Sequence, residues 1–266
     1  MMSAVRAVDA LLLDVDGVLV VSWEPIPGAA EALAELRRRG VPFRLVTNTS
    51  SQSRAGIAER LTALGMPVEP GEVVTAVVAT GAYLAERHPG ARVLLLSDEE
   101  SVGDLGPVEL VEPGADADVV VVGGANERFS YASLDHAFRL VAGGAPLVAM
   151  HRSLYWRAAD GLHLDGGAFV RALEEAAGVG AAVCGKPSPA FFRAALAELG
   201  TPAGRAAMVG DDLVNDVLAA RAVGLAGILV RTGKFRPTDL ERAAERPDAV
   251  IDSVAELPAL LDARGR

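Results

Sequence analysis

Residues 11–19 read Leu11-Leu12-Leu13-Asp14-Val15-Asp16-Gly17-Val18-Leu19, a short apolar run that ends in two aspartates and a glycine. Such a run predicts a buried strand. Alternate residues of a strand point to one face, so Asp14 and Asp16 are expected on the same side. Two neighbouring carboxylates are costly unless a cation or a shared proton relieves them, and Gly17 lets the chain turn away. The stretch therefore predicts a chemically active strand end; the alternative is that both aspartates only cap a turn.

The composition limits the classes of protein to which the chain can belong. It has 266 residues, of which 51% are hydrophobic, so a sizeable core can form. With 35 acidic and 25 basic residues the net charge is -10, which argues against nucleic-acid and membrane partners. The single cysteine, Cys184, excludes an internal disulfide and favours a reducing compartment. Asp14 and Asp16 interrupt the N-terminal apolar run, which therefore differs from a signal peptide. We expect a cytoplasmic protein.

Strand-like and helix-like segments alternate along the chain, which predicts βαβ units and a parallel sheet. In such sheets ligands lie beyond the carboxyl ends of the strands. The segment from Val73 to Glu86 is predicted to be helical, and the segment from His151 to Gly167 irregular. Another strand is predicted at Ala181-Ala182-Val183-Cys184. The middle of the chain is interpreted as a second domain inserted into the first.

Polar residues follow four of the predicted strands. These residues are Asp14 and Asp16, Thr47 and Asn48, Lys186, and Asp211, Asp212 and Asp216. A carboxylate nucleophile, a neighbouring acid, a hydroxyl, an ammonium and further carboxylates suit phosphoryl transfer. Carboxylates cannot accept a phosphate without a counter-cation, and a set of oxygen ligands suits Mg²⁺. The constellation therefore predicts a Mg²⁺-assisted reaction at phosphorus.

The same residues carry a family resemblance that covers nearly the whole chain. The chain resembles motifs I to IV of the haloacid dehalogenase superfamily at Asp14-Val15-Asp16-Gly17-Val18-Leu19, Thr47-Asn48, Gly185-Lys186-Pro187 and Gly210-Asp211-Asp212-(x)3-Asp216. The block between motifs II and III resembles the type IIA cap of the NagD-like phosphatases. Three further stretches resemble the branch of phospholysine phosphohistidine inorganic pyrophosphate phosphatases and haloacid dehalogenase-like hydrolase domain-containing 2 proteins. They are Phe129-Ser130-Tyr131, the run from Gly185 to Phe192, and the run from Val230 to Pro237.

The resemblance implies an α/β fold with two parts. A doubly wound, Rossmann-like parallel-sheet core is expected over residues 1–75 and 180–266. An inserted α/β cap of type IIA is expected over residues 76–179. Caps of this type often form dimers in the family, so a homodimer through the cap is left open.

The resemblance also implies a role for each motif residue. Asp14 would be the nucleophile that forms an aspartyl-phosphate, and Asp16 would be the general acid and then the general base. Asp14, Asp211 and the backbone carbonyl of Asp16 would bind Mg²⁺. Further roles are implied for the remaining residues: phosphate binding for Thr47, Asn48 and Lys186, and support of the metal site for Asp216 and, with less basis, Asp212.

The predicted function is a Mg²⁺-dependent phosphatase for small phosphorylated compounds, with phosphate monoesters, P–N bonds and pyrophosphate all allowed. Asp16 favours this chemistry over carbon–halogen hydrolysis, because the superfamily's dehalogenases lack the second aspartate. One alternative is a phosphotransferase or mutase that passes the phosphoryl group to an alcohol. The other is a non-catalytic interaction protein.

Two groups of residues lie outside the motifs. His151, Arg152, Tyr155 and Trp156 could line the substrate entrance or only pack the cap, and the sequence does not decide between these roles. The basic residues after the last long strand, Arg231, Lys234 and Arg236, are interpreted as a solvated or structural loop.

Overall fold

The structure is a computed structural model that describes residues 8–97, 100–125, 127–158 and 161–262. It forms two compact units. The first comprises Met1–Thr47, Ala55–Val74 and Lys186–Arg266, and the second comprises Asn48–Arg54 and Thr75–Gly185. The predicted domain boundaries differ from this division in three places. Residues 48–54, Thr75 and residues 180–185 belong to the second unit, whereas the sequence assigned all of them to the core.

The strands follow one another along both units. In chain order they are β1 (Ala10–Asp14), β2 (Val20–Val21), β3 (Glu24–Pro25), β4 (Phe43–Thr47), β5 (Val73–Thr75), β6 (Arg92–Leu96), β7 (Glu109–Val111), β8 (Val119–Val122), β9 (Leu147–Ala149), β10 (Tyr155–Ala158), β11 (Gly161–Leu164), β12 (Ala182–Val183), β13 (Ala206–Gly210), β14 (Ala226–Val230) and β15 (Ala249–Ile251).

The helices alternate with these strands. They are α1 (Ala29–Arg38), α2 (Arg54–Ala63), α3 (Ala76–Arg87), α4 (Tyr131–Ala142), α5 (Gly166–Ala177), α6 (Pro189–Leu199), α7 (Ala219–Ala222), α8 (Pro237–Arg242) and α9 (Leu257–Asp262). A π-helical turn, Leu213–Leu218, precedes α7. Among the helices of the described residues, none is both long and apolar enough to cross a bilayer.

The first unit is built on a six-stranded sheet in the order β15-β14-β13-β1-β4-β5. Strand β1 is buried throughout and pairs in parallel with β13 on one side and β4 on the other. A central parallel strand is covered on both faces, which explains its continuous apolar sequence. Because the carboxyl ends of β13, β1 and β4 are adjacent, the residues that end or follow them meet at one edge of the sheet. These residues are Asp211, Asp14 and Thr47.

The second unit has its own parallel sheet, in the order β12-β9-β8-β6-β7. The four valines of β8 divide between two hydrophobic clusters, one on each face of the sheet. Val119 and Val121 pack in one cluster, and Val120 and Val122 in the other. This alternation follows from the two-residue period of a strand. The second unit is therefore an α/β layer structure, and the α/β parallel-sheet fold is confirmed.

The prediction of a helix from Val73 is wrong at its beginning. Val73–Thr75 form strand β5, and helix α3 begins at Ala76. The β-branched side chains of Val73, Val74 and Thr75 favour extended backbone. The Thr75 hydroxyl then accepts a hydrogen bond from the Val78 N–H at 3.2 Å and caps the helix.

The segment predicted to be irregular, His151 to Gly167, contains a hairpin. Strands β10 and β11 pair antiparallel, with Tyr155 opposite Leu164. Tyr155, Leu162 and Leu164 are exposed on this hairpin. Their exposure explains why the apolar pattern did not predict strands, since this hairpin does not bury a regular face.

Candidate active site

The first unit places five of the predicted site residues together at low exposure. Asp14, Thr47, Lys186, Asp211 and Asp216 are each 5% exposed or less. Charged groups buried to this extent must be compensated by partners, because water does not reach them. The partners of each group therefore define what the site can hold.

Lys186 joins two of the carboxylates. Its Nζ lies 2.8 Å from Asp14 Oδ1 and 2.7 Å from Asp216 Oδ1. The carboxylates of Asp14 and Asp216 raise the pKa of Lys186 above its usual value, although burial alone lowers it. The strand that precedes Lys186 in the sequence is β12, which belongs to the sheet of the second unit rather than to the core sheet.

Two contacts of Asp14 are made by its Oδ1 atom. Its Oδ1 accepts a hydrogen bond from the Val15 N–H at 2.8 Å, in addition to the contact with Lys186. Burial raises the pKa of Asp14, the ammonium of Lys186 opposes this effect, and the carboxylate of Asp211 adds to it.

Among the described residues, Asp211 has a hydrogen-bond partner on one of its two oxygens. Its Oδ2 accepts a hydrogen bond from the Lys234 N–H at 2.6 Å. Its Oδ1 is buried and has no hydrogen-bond partner in the part of the chain that the structure describes. Burial raises the pKa of Asp211 to about 6, and the negative charge of Asp216 adds to this effect. A buried carboxylate oxygen without a partner is costly, and a bound cation would satisfy it.

Asp216 completes a group of three carboxylates. Asp14, Asp211 and Asp216 each offer an oxygen within 4.8 Å of the others. Burial raises the pKa of Asp216 to about 7, even though Lys186 lowers it. The ammonium groups of Lys186 and Lys234 act on these carboxylates, but two positive charges do not balance three ionised carboxylates. A set of oxygen donors is what Mg²⁺ prefers. The residues present therefore fit a divalent cation such as Mg²⁺.

Asp16 differs from these residues in position and burial. Strand β1 ends at Asp14, so Asp16 lies in the following turn, where it forms a bridge with Val20. It is half-buried, and its carboxylate is outside the group of three described above. Burial raises the pKa of Asp16, while Lys234 and Lys186 lower it. A carboxyl group with a raised pKa is suited to proton transfer.

Asp212 caps the π-helical turn at Leu213–Leu218. Its Oδ1 accepts hydrogen bonds from the N–H groups of Val214 at 3.1 Å and Asn215 at 2.9 Å. The Asn215 side-chain amide donates to Asp212 Oδ2 at 2.7 Å. All of these contacts are those of a helix cap, which gives Asp212 an indirect role: it holds the turn that carries Asp216.

Because Asp212 caps a helical turn, we expect its replacement to change stability more than catalysis. We expect Asp212→Asn to leave the free energy of unfolding close to that of wild type, because asparagine caps a helix as well as aspartate does. The rate of hydrolysis should stay within a few-fold of the wild-type rate. Asp212→Ala should cost about 1 kcal/mol of stability. Thermal unfolding and a rate assay at saturating Mg²⁺ check both variants. A loss of Mg²⁺ binding in Asp212→Asn would show that Asp212 serves the metal directly.

Thr47 and Asn48 are divided between the units. Thr47 is the last residue of β4 and belongs to the first unit, with the residues described above. Asn48 is the first residue of the segment Asn48–Arg54, which belongs to the second unit. The phosphate-binding roles of both residues stay predictions.

The second unit contains a buried histidine with a defined proton position. His151 Nδ1 accepts a hydrogen bond from the Ser153 N–H at 3.3 Å, so Nε2 carries the proton in neutral His151. Ser50 Oγ lies 3.1 Å from Nε2, and Asp165 Oδ1 lies 3.8 Å from it. Burial lowers the pKa of His151, although Asp165 opposes this. His151 is 3% exposed, which favours a packing role within this unit.

Two of the other residues considered for a substrate entrance, Arg152 and Tyr155, are at the surface. Tyr155 is 58% exposed. Arg152 is exposed and pairs with Glu174 through two contacts of 2.9 and 2.5 Å. The side chain of Trp156 lies outside the described residues.

Two residues that contact the site were missed from the sequence. Lys234 was interpreted as part of a solvated or structural loop, yet its backbone N–H binds Asp211. Gly233 approaches Asp211 so closely that a Cβ atom there would lie 2.0 Å from Asp211 Oδ2. The sequence signal was Thr232-Gly233, one residue beyond the end of β14, which neighbours β13 in the sheet.

The chain is similar in sequence to known protein families and to individual proteins. Residues 11–108 match the family described as haloacid dehalogenase-like hydrolase, and residues 183–257 match a second one described as HAD-hydrolase-like. The chain is 40% identical over 252 residues to the human haloacid dehalogenase-like hydrolase domain-containing protein 2, covering 95% of both chains. It is 38% identical over 266 residues to the rat phospholysine phosphohistidine inorganic pyrophosphate phosphatase, covering 98% of this chain and 95% of that one.

Solved structures extend the similarity to the whole fold. The 4-nitrophenylphosphatase of Thermotoga maritima has a TM-score of 0.88 and 29% identity, and the match covers 97% of this chain and 99% of that one. NagD of Escherichia coli K-12 has a TM-score of 0.86 and 29% identity, over 94% of this chain and 98% of that one.

Proposed function

Because this chain belongs to the haloacid dehalogenase-like hydrolase family, in its NagD-like type IIA group, and is a phosphatase-type hydrolase, we propose that it is Mg²⁺-dependent and forms an aspartyl-phosphate on Asp14. Its substrates are small phosphorylated compounds, with phosphate monoesters, P–N bonds and pyrophosphate all allowed. One observation carries the proposal. Buried Asp14 is held by Lys186 on one oxygen and lies beside Asp211, whose buried Oδ1 has no partner in the described part of the chain.

Asp14 and Asp211 would hold the metal with their carboxylates, and Asp16 with its backbone carbonyl. Asp216 supports the site by pairing with Lys186. When bound, Mg²⁺ supplies positive charge that offsets the negative charge of the carboxylates and of the transferring phosphoryl group.

In the first step Asp14 attacks phosphorus. Its Oδ1 is engaged by Lys186 and by the Val15 N–H, which leaves Oδ2 as the attacking oxygen. A bond forms between Oδ2 and phosphorus while the bond from phosphorus to the leaving group breaks. Protonated Asp16 gives its proton to the leaving atom, and its raised pKa favours the protonated form before the step.

In the second step the Asp16 carboxylate takes a proton from water, whose oxygen attacks the phosphorus of the aspartyl-phosphate. The bond between Asp14 Oδ2 and phosphorus breaks, inorganic phosphate leaves, and both aspartates return to their starting states. Lys186 stabilises the charge of the phosphoryl oxygens, together with Thr47 and the predicted contact from Asn48.

A hydrolysis assay with and without metal tests the proposal. Phosphate release from an aryl phosphate is expected in Mg²⁺, and it should stop when a chelator removes the metal and return when Mg²⁺ is restored. A panel of a phosphate monoester, a phosphoramidate and pyrophosphate then ranks the substrate classes. Hydrolysis at an unchanged rate in the chelator would contradict the Mg²⁺ requirement.

The two alternatives predict other outcomes in the same assay. A phosphotransferase would produce a phosphorylated alcohol in preference to inorganic phosphate when an acceptor alcohol is added. A non-catalytic interaction protein would release no phosphate from any of these compounds, a reading that the retained Asp14, Asp16, Lys186 and Asp211 disfavour. We adopt hydrolysis because similar proteins are named as phosphatases; Asp16 could serve as the base for water or for an alcohol.

The cellular location and the oligomeric state of the protein are also proposals. A cytoplasmic location rests on the single cysteine. A homodimer through the second unit is supported by Tyr155, Leu162 and Leu164, large apolar side chains exposed on the β10–β11 hairpin. Sedimentation of the wild type and of Leu162→Lys tests the dimer: we expect the variant to sediment as a monomer, and an unchanged dimer would place the interface elsewhere.

A further inference from the structure

One loop of the first unit contacts the site although the mechanism above gives it no role. It consists of Thr232, Gly233 and Lys234, follows strand β14, and is called the 232–234 loop below. The Thr232 hydroxyl donates a short hydrogen bond to the Gly17 carbonyl oxygen. The Lys234 N–H donates to Asp211 Oδ2 at 2.6 Å. The loop is therefore tied both to the turn after β1 and to the carboxylate after β13.

The two oxygens of Asp211 have different surroundings because of this loop. Oδ2 receives the Lys234 N–H. Oδ1 is buried and has no hydrogen-bond partner among the described residues. A carboxylate with one fixed and one available oxygen is oriented for a single further ligand, which is how outer contacts tune metal sites.

Backbone packing encloses the fixed oxygen from two sides. A Cβ atom added to Gly17 would lie 1.9 Å from Asp211 Oδ2, and one added to Gly233 would lie 2.0 Å from the same oxygen. A Cβ on Gly233 would also lie 2.5 Å from the Gly17 Cα. Both glycines have positive φ, 85° and 59°, which other residues adopt only at a cost. The space around Oδ2 is thus filled by backbone that a side chain would displace.

We propose that the 232–234 loop is a clamp that fixes the Asp211 carboxylate so that Oδ1 is its metal-binding oxygen. Gly233 and the Lys234 N–H are positioning groups: they act on the metal through Asp211 and do not touch the substrate. The inference rests on the proposed function in one respect, since it takes Mg²⁺ as the ligand of Asp211.

Opening the clamp should weaken metal binding measurably, because a carboxylate that is not fixed can turn away from the metal. Without the Lys234 N–H and the backbone of Gly17 and Gly233, the Asp211 carboxylate can rotate. It can then pair with the ammonium group of Lys234 or Lys186, both of which act on its charge, instead of presenting Oδ1 to the metal. Contacts that orient a metal ligand are typically worth roughly 10–100-fold in metal affinity. We expect a loss of this size when the clamp is opened.

Gly233→Ala opens the clamp and is compared with Gly40→Ala. Gly40 also has positive φ, 67°, but a Cβ there meets nothing within 4 Å, so it reproduces the backbone strain away from the site. Titration calorimetry with Mg²⁺ on metal-free protein is the measurement. The Kd for Mg²⁺ should rise roughly 10–100-fold in Gly233→Ala and stay at the wild-type value in Gly40→Ala. Equal Kd values in the two variants would overturn the clamp.

Two milder variants keep the test valid if Gly233→Ala fails to fold. Thr232→Val removes the hydroxyl that ties the loop to Gly17, and should raise the Kd several-fold. Lys234→Ala keeps the N–H and removes a cation, so it should bind Mg²⁺ no more weakly than wild type. An unchanged Kd in Thr232→Val, or weaker binding in Lys234→Ala, would contradict a backbone clamp. Absence of Mg²⁺ binding in the wild type would instead overturn the proposed function.

Discussion

Asp14→Asn is expected to lower kcat for aryl phosphate hydrolysis by at least about 10⁴-fold, because it removes the nucleophile on which both steps depend. The substitution is nearly isosteric, and the amide oxygen can still accept the hydrogen bond from Val15. It removes one of the two carboxylates that Lys186 contacts, so Asp216 alone balances the ammonium. The loss should appear in kcat rather than only in KM.

Asp212→Asn is the matched control for this variant. It makes the same chemical change, from aspartate to asparagine, at a residue of motif IV whose carboxylate caps a helical turn. Its rate should stay within a few-fold of wild type. Comparable losses in the two variants would mean that the assay reports general damage to the acidic site rather than loss of a nucleophile.

Asp211→Asn is expected to weaken Mg²⁺ binding and to stabilise the metal-free protein. Its effect on activity should be the largest after that of Asp14→Asn. Replacing a charged metal ligand by an amide should weaken Mg²⁺ binding and Mg²⁺-dependent activity by roughly 100-fold or more. The same change removes a buried charge whose pKa is raised to about 6. The metal-free variant should therefore be more stable than metal-free wild type near pH 8, by about 1–3 kcal/mol.

The pH dependence of this effect follows from the direction of the pKa shifts. The pKa values of Asp211 and Asp216 are raised from 3.8 to about 6 and about 7 in the folded protein. Between pH values of about 4 and 7 the folded state thus holds more protons than the unfolded state, so metal-free stability falls as pH rises. Mg²⁺ replaces these protons. Its stabilising effect on wild type should be larger near pH 8 than near pH 5.

Thermal unfolding with and without Mg²⁺, at both pH values, measures these differences. Wild type should gain Tm from Mg²⁺ chiefly at the higher pH, and Asp211→Asn should gain little at either. A metal-free Asp211→Asn protein that is less stable than metal-free wild type near pH 8 would show that the Asp211 charge is compensated without metal.

Much of the site could be predicted because its residues end or follow parallel strands. Asp14, Thr47 and Asp211 meet because β13, β1 and β4 are neighbours in the sheet, and the alternation of strands and helices already indicated a parallel arrangement. Lys186 was predicted because it follows a predicted strand, and its motif supports the same role. That strand belongs to the other sheet, so the position of Lys186 does not follow from the edge of the core sheet.

The clamp and the division of residues 47 and 48 could not be predicted from residue types. The contact of Lys234 with Asp211 uses a backbone N–H, which every residue except proline carries. The role of Gly233 depends on the close approach of its backbone to Asp211 and Gly17, which lie far from it in the sequence. Asn48–Arg54 joins the second unit through tertiary contacts such as that of the Ser101 hydroxyl with the Ser50 carbonyl oxygen at 2.6 Å. Such contacts depend on the packed structure and leave no local pattern in the sequence.

Chemical trapping of the intermediate tests the central claim most directly. Wild type is mixed with an aryl phosphate and Mg²⁺, quenched during turnover, and reduced with borohydride, which converts an aspartyl-phosphate into homoserine. Peptide mass spectrometry should then find homoserine at position 14, and none at position 14 when substrate is omitted. Homoserine at Asp16 or Asp211, or an unmodified Asp14 in protein quenched during rapid turnover, would contradict nucleophilic catalysis by Asp14.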